Sequence, residues 1–467
     1  MAIGFASADC DPVGYAPGSF EAVDHAIEAG AQAAFAFLEK LVAAPSTVGQ
    51  EAQAQEIVAA ELERLGFGVA AVPVPPQTAD RAPGGVAQAC YAGRDNVVGR
   101  INPGTGPSLL LNGHIDVVPA QEAMWTAAPF TPQSADGWLT GRGAGDMKGG
   151  FAMGLLAVEA LRTAMPGSIT GELSFLSVIE EECTGNGTLA ACRAGVLGDA
   201  VVLLEPTSLD LLLGGVGVLW VEIAIEGIPA HAEAADRAVN PVRYVPVILR
   251  ALADLETEMS AGRDDPAFSE IASPYNVSPG TVAAGDWPSS VPGQARVGVR
   301  VGYPRAWTPE QAFERVRSAV RSAAQQYSWL AEHPPVVRET GFRAEGYLLQ
   351  ADHPLVTAMS DAHSWAHRAT PRRRVMGSTT DARYYLNQFD RPALAYGPRA
   401  RNIHAADEAV ELASIIAGAR TMARFIARYF AAGGLPGRTP EAISLDAPQA
   451  MLATPGLPDA ADSGPSQ

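Results

Sequence analysis

Three short apolar runs in this chain each end on side chains that an apolar interior rejects. Ser108 to Val118 (SLLLNGHIDVV) carries His114 and Asp116. Leu173 to Thr188 (LSFLSVIEEECTGNGT) turns polar at Glu180, Glu181 and Glu182, and Asp199 to Pro206 (DAVVLLEP) delivers Glu205. Runs this short and this continuously apolar predict strands buried on both faces, the signature of a parallel sheet covered by helices. Helical stretches separate them, at Gly150–Thr163 and Thr188–Ala194. The β-α-β alternation over residues 100–213 therefore predicts an α/β fold with a mostly parallel sheet. In such sheets ligands bind at the carboxyl edge, where these runs place their polar residues.

Carboxylates gathered at the end of buried strands are costly unless a cation neutralises them. A lone glutamate triplet is ordinarily a solvated acidic turn; the recurrence of the pattern argues for a site. His114 and Asp116, spaced i, i+2, leave a strand on one face, an arrangement that suits a metal-ligand histidine whose second ring nitrogen is held by a carboxylate. Asp146 closes the glycine-rich loop GRGAGDMKGG just before a helix, where a carboxylate is tolerated and glycines permit close backbone approach. The loop is not a nucleotide cradle: its glycines miss GxGxxG, and Lys148 is not followed by Ser or Thr. A late segment, GPRARNIHAADE, adds His404. Two histidines and several carboxylates without cysteine suit zinc, cobalt or manganese, and five ligands with one shared carboxylate describe a two-metal site.

Composition narrows the partners. The net charge of -18 over 467 residues argues against nucleic acid and anionic membranes, and requires any site for an acidic substrate to be locally basic. That length predicts two domains. Four cysteines (Cys10, Cys90, Cys183, Cys192) with no CxxC pair, no basic-then-apolar leader and no long apolar run lead us to expect a cytoplasmic protein. At Gly214 the pattern changes to strand-helix-strand-strand-helix, predicting an α+β insert over 214–333, with the first domain (1–213) resuming at 334–432. From 433 to 467 the chain is rich in Pro, Gly, Ala and Ser and is expected to be a disordered tail.

GHIDVVP, GRGAGDMKGG, EEECTGNGT, LLEP and IHAADE occur in the order and near the spacings of the M20 metallopeptidase family, which this chain resembles over residues 20–430. That family includes acetylornithine deacetylase, succinyl-diaminopimelate desuccinylase, aminoacylase-1 and glutamate carboxypeptidase. The resemblance implies two divalent ions, zinc with cobalt or manganese as alternatives, bridged by Asp146. His114 and Glu205 complete one site, Glu182 and His404 the other. Asp116 orients His114, and Glu181 is the general base. The insert is implied to be a lid and homodimerisation domain whose His231 reaches an active site. MGSTTDARYY resembles a substrate-side segment of the family, offering Gly377, Thr380 and Arg383. Where the family has a lid asparagine, WPSSVPG has Ser289 or Ser290, and the family's Asp-x-Arg falls in a register that leaves Arg296 or Arg300. The expected activity is hydrolysis of a small N-acyl amino acid or related amide. A carboxypeptidase or dipeptidase is the alternative, and a metal-dependent binding protein without catalysis the reading from another class. Retention of Glu181 weighs against that last one.

Overall fold

The computed structural model describes residues 20–76, 90–262 and 265–436. The expected tail from 437 onward and the N-terminal 19 residues lie outside them.

A large sheet organises the first part. Its strands run in the order Gly68–Val72, Asn96–Ile101, Glu172–Val178, Ser108–His114, Ala200–Leu203, Ala393–Ala395, Leu211–Gly215 and Tyr347–Leu348, with Arg373–Met376 pairing alongside Leu211–Gly215. Ser108–His114 is parallel to both of its neighbours, and Ala200–Leu203 is parallel to Ala393–Ala395. The edges are antiparallel, so the sheet is mixed with a parallel centre. Helices cover both faces. Glu21–Ala43, Gly149–Ala164, Pro354–His367 and Leu412–Ala431 bury their apolar sides on one. Asn186–Arg193 and Ala382–Gln388 pack on the other. Such full coverage is why the central strands read as unbroken apolar runs: each buried Leu, Ile or Phe contributes roughly 1.5–3 kcal/mol. The helix Gly149–Ala164 lies so close to the strand end that a Cβ on Gly150 would come within 1.9 Å of the Leu204 carbonyl oxygen.

The insert is a second α+β layer. Its antiparallel sheet runs Val277–Ala284, Gln294–Tyr303, Gly217–Glu226, Val336–Ala344. Strand Gly217–Glu226 alternates, burying Val221, Ile223 and Ile225 in a core with helices Val245–Ala261 and Pro309–Ala324. The second helix starts at a capping box, Thr308 with Gln311, and carries Pro309 in its first turn. Its buried Ala312, Val316, Val320 and Ala324 form one stripe. The boundary expected at residue 333 needs correction, because Val336–Ala344 pairs with Gly217–Glu226 and belongs to the insert's sheet. As an edge strand with mixed exposure it presents no apolar run to read.

A third, small sheet was not anticipated. It joins Ala400–Arg401, Ala409–Glu411, Trp138–Thr140 and Gln133–Ala135, tying the chain around His404 to the loop that carries Asp146. Cys90, Cys183 and Cys192 are free thiols, and among the described residues no helix is long and apolar enough to cross a membrane.

Candidate active site

The strand ends converge. His114 is the last residue of its strand, and its Nε2 lies 3.1 Å from Asp146 Oδ1 and 4.0 Å from Glu205 Oε2. On the other side of Asp146, His404 Nε2 lies 3.5 Å from Oδ2 and 3.0 Å from Glu182 Oε1. Asp146 thus points one oxygen at each histidine. Ligand atoms of His114, Asp146 and Glu182 all fall within 4.8 Å of one another. Glu181 is 7% exposed beside them. Asp146, Glu181, Glu182, Glu205 and His404 form one wall of a cavity of about 770 Å³.

Asp116 is placed differently from the expectation. The His114 Nδ1 partner is the Asp116 backbone carbonyl at 2.9 Å, while the carboxylate is 3.8 Å away. That carboxylate accepts instead from the backbone N–H groups of Glu181 and Glu182, each at 3.1 Å. The same-face rule for i and i+2 holds only inside a strand, and this strand stops at His114. Glu180 turns away from the cavity. It adopts a left-handed φ of 63° and accepts from Tyr91 Oη at 2.7 Å and Thr184 Oγ1 at 2.9 Å. Its other oxygen pairs with Arg94, 2.8 Å away, which also pairs with Glu51 at 2.6 Å. Three adjacent glutamates are therefore divided, one into a buried ion network and two into the cavity.

Glu408 is a structural partner that sequence reasoning missed. Its carboxylate accepts from Gly145 N and Asp146 N at 2.9 Å and from Gly143 N at 3.2 Å, and pairs with buried Arg142 at 2.5 Å. It clips the Asp146 loop to the chain following His404. The available signal was an acid four residues after His404 and an arginine inside the glycine loop, neither informative without the fold.

Burial dominates the electrostatics. Glu205 is pushed up to about 8 by burial, with the Asp146 and Glu182 charges adding to the effect. Burial also raises Asp116 to about 7. Glu181 rises well above the ordinary range through burial and the Asp381 charge. For Asp146 burial acts upward too, but hydrogen bonds from His114 and His404 overcome it and hold its carboxyl low. Burial would lower His404, yet hydrogen bonds to Asp146 and Glu182 carry it up to about 11. His114 is raised in the same way, against its burial, by Asp146. Carboxylates and two imidazoles set this close together form a donor set that could hold a divalent cation.

The remaining candidates divide. Thr380 lines the cavity and its hydroxyl bonds Tyr347 Oη at 2.7 Å. Arg383 is buried outside the lining, 3.2 Å from Asp381 and 3.3 Å from the Thr184 carbonyl oxygen. Gly377 accepts from Arg300 Nη2 at 3.0 Å. The two register options separate as well: Arg300 lines the cavity, whereas Arg296 is exposed and lies 4.0 Å from Glu222. His231 is exposed and sits opposite Ser290 in a two-stranded ribbon, where the Ser289 carbonyl accepts from Ala232 N. The structure brings His231, Ser289 and Ser290 together but away from the cavity lining.

The carboxyl edge of a parallel-centred sheet thus carries a carboxylate–histidine cluster, and strands of the α+β insert line the same cavity. The fold matches Dug1p, a dipeptidase from Saccharomyces cerevisiae, with a TM-score of 0.73 at 16% identity over 88% of this chain and 98% of that one. It also matches YXEP of Bacillus subtilis, described as a dinuclear metal binding peptidase from the M20 family, with a TM-score of 0.54 at 17% identity over 86% and 98% of the two chains. In sequence, 29% identity over 359 residues links it to N-formyl-4-amino-5-aminomethyl-2-methylpyrimidine deformylase of Bacillus subtilis (strain 168), covering 72% of this chain and 83% of the relative. The profile of peptidase family M20/M25/M40 matches residues 110–428, and the chain belongs to that family of hydrolases.

Proposed function

We propose that this chain is a metal-dependent amidohydrolase that cleaves a small N-acyl amino acid or related N-acyl compound, with Glu181 as general base. The observation that carries the proposal is Asp146, set between His114 and His404 with one carboxylate oxygen toward each. The donor set fits two divalent ions: His114, Asp146 and Glu205 would hold one, and His404, Asp146 and Glu182 the other. When bound, such ions acidify a water and polarise the amide carbonyl; zinc, cobalt and manganese all accept these ligands.

The chain's own groups do the rest. Glu181 takes the proton from the attacking water as the C–O bond forms, and returns it to the leaving nitrogen as the C–N bond breaks. Asp116 fixes the backbone of Glu181 and Glu182 through their N–H groups, so the base and an adjacent ligand keep one geometry. Arg300 offers the substrate carboxylate a cation in a protein that is otherwise strongly acidic. Thr380 adds a hydroxyl at the cavity wall, and Gly377 and Arg383 support that segment from behind.

The insert is read as a lid and dimerisation domain. His231, with Ser289 and Ser290 beside it, is assigned to complete the cavity of a second copy, because its own copy holds it outside. A peptidase reading uses the same residues; the deformylase relative favours deacylation. Purified protein loaded with zinc or cobalt, assayed on N-formyl, N-acetyl, N-succinyl and dipeptide substrates, should cleave the N-acyl compounds. Cleavage of dipeptides alone would reverse the preference, and cleavage of none would support the non-catalytic reading.

A further inference from the structure

The insert's sheet supplies a second wall of the cavity, where Arg300 pairs in register with Trp220, and nothing in the hydrolytic reading uses the aromatic part of it. Strand Gly217–Glu226 brings Trp220 to the cavity, while Ile223 and Ile225 enter the insert's core. Phe342, on the neighbouring strand, meets Trp220 edge to face with ring centroids 5.3 Å apart. Both rings line the cavity, with Leu212 and Met376 from the catalytic sheet beside them.

This wall is constructed and held. A Cβ on Gly341 would come within 2.3 Å of the Trp220 ring, so the indole packs against backbone that only glycine leaves open. Behind it, the Arg383 guanidinium sits 5.3 Å from the centroid of the Phe342 ring and 4.5 Å from that of Tyr384. Phe342 is therefore backed by a buried cation that is itself fixed. Trp220 remains only partly covered, which leaves an aromatic surface available to whatever enters. Ligand sites pair apolar walls of this kind with a few placed polar groups, and an apolar wall of two fixed rings discriminates by the shape of the group set on it.

We propose that Trp220 and Phe342 form an aromatic clamp, and that the substrate carries a ring placed against it. The inference rests on the hydrolase reading above and adds the substrate class. The ring can belong to the acyl group or to the amine, since both flank the scissile bond; three substrates separate the sources. N-acetylglycine has no ring, N-benzoylglycine carries one on the acyl side and N-acetylphenylalanine one on the amine side. Zinc-loaded enzyme should show a kcat/KM for one ring-bearing substrate about 10- to 100-fold above that for N-acetylglycine, the range open to an apolar pocket. In Trp220→Ala that ratio should collapse toward one through KM. Trp220→Leu, which keeps an apolar side chain, should fall between and controls for misfolding. A wild-type ratio at or below one, or an unchanged ratio in Trp220→Ala, overturns the clamp. Calorimetric binding to Glu181→Gln protein needs no turnover. There N-benzoylglycine or N-acetylphenylalanine should bind about tenfold more tightly than N-acetylglycine, and equal binding of all three overturns the clamp even if the hydrolase reading itself fails.

Discussion

The two walls of the cavity are made in opposite ways. On the sheet side, functional groups sit at strand ends and in short loops, and backbone N–H groups hold them: Asp116 grips two, Glu408 three. On the insert side, the candidate catalytic residue His231 stands exposed in a two-stranded ribbon, its Nδ1 accepting from Glu233 N at 3.2 Å. The first wall is complete within one chain. The second offers apolar rings and an arginine, and leaves its histidine outside. Groups held by backbone N–H donors are preorganised for chemistry; the lid role proposed for the insert would use the second wall for access and closure.

The comparison breaks most visibly at the two glutamates. Glu181→Gln should keep metal stoichiometry, read by elemental analysis, yet lose about 100- to 10,000-fold in kcat, the contribution of a general base. Glu182→Ala should lose an ion. Equal metal loss in both variants would remove the distinction between base and ligand.

On the insert side, His231→Ala should retain both ions and lose about 100-fold in kcat, the scale of one oxyanion donor. Mixed with Glu181→Gln under proven subunit exchange, it should recover activity, because heterodimers contain one site free of both defects. A mixture as inactive as its parents would return His231 to the surface role that its exposure in one chain suggests.

Glu408→Gln tests how rigidly the sheet side is held. It leaves buried Arg142 without its carboxylate and weakens the grip on three loop N–H groups; removing one partner of a buried pair costs about 3–5 kcal/mol. Thermal melting should fall by several degrees and metal affinity with it. A melting temperature within a degree of wild type would show that the loop holds its own shape.

The smallest effect lies behind the sheet. Burial, with His367 adjacent, lowers His363 to about 4 from an ordinary 6.5, and its Nδ1 lies 2.9 Å from Tyr396 Oη. The fold favours the neutral ring, so its stabilisation is complete above pH 6.5 and is lost as pH falls toward 4. Melting temperature should decline across that window, and His363→Gln should flatten the decline by on the order of 1–3 °C. An identical pH profile in the variant would exclude this histidine.

The sequence alone determined the central sheet and most of the cluster, for one reason. Strands buried on both faces read as apolar runs, and a charged residue inside or just after such a run stands out whatever the rest of the chain does. His114, Asp146, Glu181, Glu182, Glu205 and His404 were legible on those terms or by resemblance. What Glu180 does instead was decided by Tyr91, Arg94 and Thr184, which draw it into a buried network. That Asp116 serves two backbone N–H groups followed from the strand ending two residues earlier. The small sheet, the Glu408 clip, the strand 336–344 and the Trp220–Phe342 pair depend on contacts between segments far apart in the chain. Edge strands, isolated acids and single aromatic residues carry no periodicity of their own, so only tertiary packing could give them a place.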